Sequence, residues 1–187
     1  FEFHINDGRL EGVVTGGNQP QGHFKMSNFN AEILTQFLDD PRFQMSGIVF
    51  GEIWMQWIRD AVDLDADLSL KNGIYMDEPF DEMTLSFLYK RGLLHMDDIS
   101  MTRGEHMGIQ ANGVIPLGKR HIGRTPISLR STFSNLSLGF VHKFIPDFFT
   151  LGGEVTGALD LNGFPDNTQF SYNMDIQDAV FDLISLG

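Results

Sequence analysis

Val62-Asp63-Leu64-Asp65-Ala66-Asp67-Leu68-Ser69-Leu70 alternates without a break. Every even position is apolar and every odd one polar, which is the period of a strand with one dry and one wet face. The same reading fits Met83-Thr84-Leu85-Ser86-Phe87, Val155 to Leu161 and Phe170 to Ile176. Lys71-Asn72-Gly73, Lys90-Arg91-Gly92, Arg103-Gly104 and Asn162-Gly163-Phe164-Pro165-Asp166 carry turn chemistry between these runs. Strands joined by short turns predict an antiparallel meander, a mostly β fold.

Two segments leave this period. Asn30 to Asp39 carries Ile33, Leu34, Phe37 and Leu38, and Leu138 to Asp147 carries Val141, Phe144 and Ile145. Both spacings predict short amphipathic helices, each ending near a proline, Pro41 and Pro146. The helices belong to a longer internal similarity. Met26-Ser27-Asn28-Phe29-Asn30 aligns with Phe133-Ser134-Asn135-Leu136-Ser137 at an offset of 107. One residue later drops out, and Gly47, Gly51, Leu68 and Leu70 then align with Gly153, Gly157, Met174 and Ile176. Repeat units are therefore expected near 26–75 and 133–181, with further strands over 76–126, in one continuous β-rich segment spanning 1–187.

Composition narrows the function. The 187 residues hold 13 Lys and Arg against 25 Asp and Glu, a net charge of −12. Phosphate backbones are bound by basic clusters, so no nucleic-acid partner is expected. Cysteine is absent, which excludes a disulfide scaffold, a thiol nucleophile and Cys-ligated zinc. No apolar run reaches the roughly 18–20 residues of a membrane-spanning helix. The chain begins at Phe1 without a visible signal peptide and reads as a piece or a processed form of a longer protein.

No catalytic constellation is found. Asp63, Asp65 and Asp67 lack the glycine and glutamate that a calcium loop places after them, and read as three outward carboxylates. Glu78, Asp81 and Glu82 around Pro79 read as a solvated loop. The six histidines, His4, His23, His95, His106, His121 and His142, have no metal-binding spacing and read as surface or rim residues. The glycines between Gly12 and Gly22, and Gly118-Lys119-Arg120, match no phosphate-loop pattern and read as loops. Trp54 and Trp57 are three apart in a strand and should face opposite sides. No enzyme, metal or cofactor is expected.

Leu151-Gly152-Gly153-Glu154-Val155-Thr156-Gly157-Ala158-Leu159-Asp160-Leu161-Asn162-Gly163 resembles the L-x-G-x-(L/V)-x-G-x-L-x-(L/V)-x-G signature of AsmA-like and TamB-like envelope proteins. Leu68 to Gly73, Phe80 to Phe87 and Ile109 to Leu117 are similar to the same module, and the likeness is plainest over 22–187. Trp57-Ile58-Arg59 departs from it where small turn residues are usual. The resemblance implies a long β-sheet curled into a half-pipe with an apolar inner face, in a periplasmic body anchored in the inner membrane by a segment outside this one. It further implies phospholipid movement between the membranes of a diderm bacterium, or assembly of outer-membrane proteins with a barrel partner.

The residues read by themselves agree in kind. One alternating layer has an apolar face that must be covered, and two short helices cover little of it. Either the sheet closes as a sandwich, a mere spacer, or the face binds something apolar. Acyl chains suit such an open groove, since each buried methylene is worth about 0.8 kcal/mol and needs no polar partner. Nine Met and seventeen Phe suit an adaptable lining. The expected lipid-groove lining is Val62, Leu64, Leu68, Leu70, Met83, Leu85, Phe87, Leu159, Leu161, Phe170, Tyr172, Met174 and Ile176. The alternative is a scaffold whose sheet edge receives a strand of an outer-membrane protein.

Overall fold

The computed structural model describes residues 2–5, 7–35, 45–58, 61–118, 120–142, 149–164 and 166–183. They form β1 (Glu2–Ile5), β2 (Gly8–Thr15), β3 (Gln21–Asn30), α1 (Ala31–Thr35), β4 (Met45–Ile58), β5 (Ala61–Tyr75) and β6 (Glu78–Lys90). Then follow β7 (Leu93–Arg103), β8 (Met107–Pro116), β9 (Ile127–Ser137), α2 (Leu138–His142), β10 (Phe149–Phe164) and β11 (Asn167–Leu183). The strands make one antiparallel meander in chain order, β1 through β11. Among the described residues β1 and β11 do not pair, so the sheet is open rather than a barrel.

Tight turns hold the meander. Arg91 and Gly92 take φ of 52° and 87° between the paired residues Lys90 and Leu93. Met76 and Asp77, at 49° and 62°, do the same between Tyr75 and Glu78. Two successive positive φ values match the right-handed twist of the flanking strands. The expected turn at Lys71-Asn72-Gly73 is corrected here, because all three residues lie inside β5. Asn72 takes φ 52°, and the β4–β5 register shifts there between Ser46/Ile74 and Ile48/Lys71. An Asn can enter the left-handed region, so the turn chemistry is spent on a bulge and the strand runs on. Asn162 to Phe164 likewise continue β10, and Pro165 lies outside the described residues. The expected loop around Pro79 is also corrected: Glu78, Asp81 and Glu82 belong to β6. Gly12 and Gly22 sit in β2 and β3, so only 16–20 turn between them.

Both helices begin where their periodicity predicts. The Asn30 side chain accepts a hydrogen bond from the Glu32 N–H (2.8 Å), and the Ser137 hydroxyl accepts one from Gly139 N–H (3.2 Å). Each caps the first turn. The remainder of both predicted helices lies outside the described residues.

The two halves of the sheet correspond in detail. Met26 pairs with Gly51 and Phe29 with Val49 across a bulge; Phe133 pairs with Gly157 and Leu136 with Val155 across another. Asn28 and Asn135 sit in those bulges with φ of 54° and 45°. Each donates from Nδ2 to a backbone carbonyl before the preceding strand, Asp7 at 3.1 Å and His106 at 3.3 Å. The shift opposite Asn72 recurs at Asp178 (φ 51°), between Gly152/Val180 and Glu154/Gln177. Leu10 opposite Met26 matches Ile109 opposite Phe133. Strands β1–β5 thus correspond one for one to β7–β11, and β6 joins the two sets.

The core lies against the helices. Met26, Phe29, Val49, Leu70, Phe80, Met83, Met101, Leu136, Phe140 and Val155 form one buried cluster. β3 and β9 are six neighbours apart in the sheet, about 28 Å if it were flat. Their side chains share one cluster because the sheet curls around α1 and α2. The Tyr75 and Phe140 rings, 6.4 Å apart and tilted by 59°, join β5 to α2 across the curl. Burial there raises the Tyr75 pKa, so its hydroxyl stays neutral.

Candidate functional site

Directly paired residues share a face of a sheet, so the register assigns every strand position to one side. Starting at Leu64, the ladder runs through Tyr89, Leu94 and Ile115. Two same-face positions along, past Ala66, it runs through Leu68, Leu85, Ile99, Ala111, Ser131, Leu159 and Tyr172. Next to that, Leu70, Met83, Met101, Ile109, Phe133, Gly157 and Met174 follow one another. The structure therefore brings all thirteen expected lining residues to one concave face. Val62 joins it opposite Trp57, Phe87 opposite Ala66, Leu161 opposite Phe170, and Ile176 opposite Val155.

These residues are not equally open. Leu70 and Met83 are 2% and 6% exposed, sealed beneath the helices with Leu68 and Leu85 packed against them. They are core, and nothing can reach Leu70 without unfolding the helix cap. Val62, Leu64, Phe87, Leu159 and Leu161 are half-buried. Phe170, Tyr172, Met174 and Ile176 on β11 are exposed at 66%, 71%, 41% and 48%. The face is thus closed at the helix end and open toward β11.

The opposite face carries the carboxylates. Asp63, Asp65 and Asp67 pair with Gln56, Trp54 and Glu52. Asp63 Oδ1 accepts the Arg91 N–H at 2.9 Å, and Asp67 Oδ1 accepts the Ser86 hydroxyl at 2.6 Å. Asp81 accepts the Gly104 N–H at 2.6 Å and Glu82 accepts the Ser69 hydroxyl at 3.3 Å. Glu78, paired with Tyr75, lies instead on the core face, 3.5 Å from Arg103. These side chains tie turns and neighbouring strands together.

Trp54 does face away from Trp57, as their spacing predicts, and stands between His23 and Asp65. What spacing misses is that His23 stacks on Trp54, with centroids 4.9 Å apart and planes 7° from parallel. Val13 and Leu88 flank them over a shallow depression of about 560 Å³. His23 Nε2 also lies 2.7 Å from Glu52. That hydrogen bond, aided by Lys25 at 3.6 Å, holds the Glu52 carboxyl below its ordinary 4.5. A depressed carboxyl pKa stabilises the fold above the unfolded value, and that contribution is lost as pH falls through the folded one. Glu52→Gln should therefore flatten the decline in melting temperature as the pH falls below about 5, measured by paired thermal melts. An unchanged slope would remove Glu52 from the acid response.

Comparison with protein-family models, with curated proteins and with solved structures returned no match.

Proposed function

We propose that the chain is a non-enzymatic segment of a bacterial cell-envelope protein, similar to the AsmA-like and TamB-like group, whose apolar groove holds phospholipid acyl chains. In this reading it works in the periplasm and passes or shields lipid between inner and outer membranes. The observation that carries it is one apolar face running through ten strands, capped by helices at one end and open along β11. A spacer has no use for exposed Phe170, Tyr172 and Met174 on the same face as the core. A sandwich would cover that face with a second sheet, and the described strands make only one.

The test is native mass spectrometry of the chain purified from a bacterial host without detergent. Phospholipid should co-purify. Phe170→Glu with Met174→Glu should remove it while leaving the melting temperature nearly unchanged, since both side chains are exposed. Leu85 is unsuitable for such a variant because it packs on the core. Lysophospholipids of rising chain length should bind up to about fourfold more tightly per added methylene, the equivalent of 0.8 kcal/mol. A folded, lipid-free chain with no chain-length dependence would sink the acyl-groove reading.

A further inference from the structure

We infer that the strand-end platform formed by the β6–β7 turn and the loop 117–126 docks on the surface of an anionic lipid bilayer, whether or not the concave face holds acyl chains.

From His106 to Pro146 the chain has no Asp or Glu, although it carries 25 of them in all. Gly118-Lys119-Arg120-His121-Ile122-Gly123-Arg124 stands in that stretch and matches no phosphate loop. The fold brings a second basic pair beside it. Lys90 and Arg91 close β6 onto β7, and the carbonyl of Gly92 accepts the N–H groups of Leu117 and Gly118, both at 2.8 Å. The backbones touch there: a Cβ added to Gly92 would stand 2.8 Å from the Gly118 Cα. Beyond this contact the loop is wound by its own hydrogen bonds. His121 and Ile122 donate their N–H groups to Gly118 O, and Arg124 and Thr125 donate theirs to His121 O. The His121 and Thr125 side chains meet at 3.2 Å. The platform is therefore held in shape before it meets a partner.

Lys90, Arg91, Arg120 and Arg124 are exposed, and none forms an ion pair among the described residues. Asp63 accepts the Arg91 backbone N–H at 2.9 Å and holds the turn. Asp77 and Glu105 lie in the turns at the opposite end of the strands. β6 has 13 residues, so that end is about 40 Å away. Screening at physiological salt acts within about 8 Å. The platform therefore presents positive charge locally on a chain of net charge −12. β6 to β9 also lie inside the eleven-strand order, away from both sheet edges. Further strands would extend the sheet sideways and leave this end clear.

Two features select a bilayer among anionic partners. Leu117 and Ile122 are 53% and 49% exposed in the same loop. Apolar side chains thus stand among the cations, and buried apolar area adds to charge attraction at a lipid interface. Residues 116–126 have no Phe, Tyr or Trp on which a nucleic-acid base could stack.

The probes are vesicles of phosphatidylcholine, alone or in equimolar mixture with phosphatidylglycerol, sedimented with the whole chain. The chain should partition onto the mixed vesicles and not onto phosphatidylcholine alone, and binding should fade as salt rises. One cation near such a surface is worth about fivefold in partitioning, so Arg120→Gln with Arg124→Gln should weaken it roughly 25-fold. Arg9→Gln with Lys25→Gln removes the same charge elsewhere and should change it by less than about twofold. Ile122→Asn should weaken it severalfold and leave the melting temperature unchanged, since the side chain is exposed. No binding to the mixed vesicles, equal binding to both kinds, or equal effects of the two double variants would overturn the inference. So would an Ile122→Asn chain that binds as well as the parent, or polyphosphate bound as tightly as the vesicles, since either marks a site for soluble polyanions. Co-purified phospholipid should survive Arg120→Gln with Arg124→Gln, and vesicle binding does not require it, so the platform and the acyl groove fail separately.

Discussion

Leu70→Asp is expected to cost about 4 kcal/mol or more, whereas Ile176→Asp, at the corresponding position of the second half, should cost under about 1 kcal/mol. The two residues sit in matching strands, on the same face and in the same register relative to their bulges. Leu70 is enclosed by Val49, Met83 and the helix-end cluster, so a carboxylate there loses its water and gains no partner. Ile176 is paired with Val155 on one side only and already touches solvent on the other. For a chain of this size the first change should lower the melting temperature by roughly 8–16 °C and the second by only a few degrees. Paired thermal melts decide it. Equal losses would mean that the β11 face is covered in solution, and the open groove would then be in doubt.

Gly51→Ala should be nearly as damaging, at about 2–4 kcal/mol. Its φ of 135° is one an L side chain rarely adopts, and an added Cβ would stand 2.1 Å from the Asp67 carbonyl oxygen and 2.9 Å from the Leu68 Cα. Both atoms are backbone of β5, which is clamped between β4 and β6 and cannot retreat. Gly157→Ala meets the same obstacle in β11, at Asn173 O. β11 is held on one side only, so it can shift outward, and the loss should be smaller. Gly16→Ala is the control, since nothing lies within 4 Å of its added Cβ. Urea midpoints in the order Gly16→Ala, Gly157→Ala, Gly51→Ala, from most to least stable, are the expected result. A Gly51→Ala midpoint equal to that of Gly16→Ala would mean that β5 is not held as described.

Much of the architecture was legible in the alternation. Period 2 over Val62 to Leu70, Met83 to Phe87 and Phe170 to Ile176 gives strands, and it gives which residues of each share a side. The helix starts were legible as well, because Asn30 and Ser137 precede apolar residues at helical spacing. The turn at Met76-Asp77 was not, since neither Gly nor Pro marks it and its two positive φ values come from hairpin closure between Tyr75 and Glu78. Asn72-Gly73 misleads in the other direction. The residue chemistry that makes a turn also makes a bulge, and only the length of the partner strand β4 decides between them.

For the candidate site, the alternation put the thirteen expected residues on one side of their strands, and the register carries them to one face. It could not say which are reachable. Leu70 and Ile176 lie in runs with the same alternation and the same bulge downstream, so no local signal separates them. The curl of the sheet around α1 and α2, and the presence of β6 beside β5 but of no described strand beside β11, bury one and expose the other. The stacking of His23 on Trp54 was equally hidden, because it joins strands whose registry is set by bulges. Local chemistry fixes the period and the side, since these depend on backbone geometry within a strand. Burial depends on what arrives from elsewhere in the chain, and that is settled only by the order and curvature of the assembled sheet.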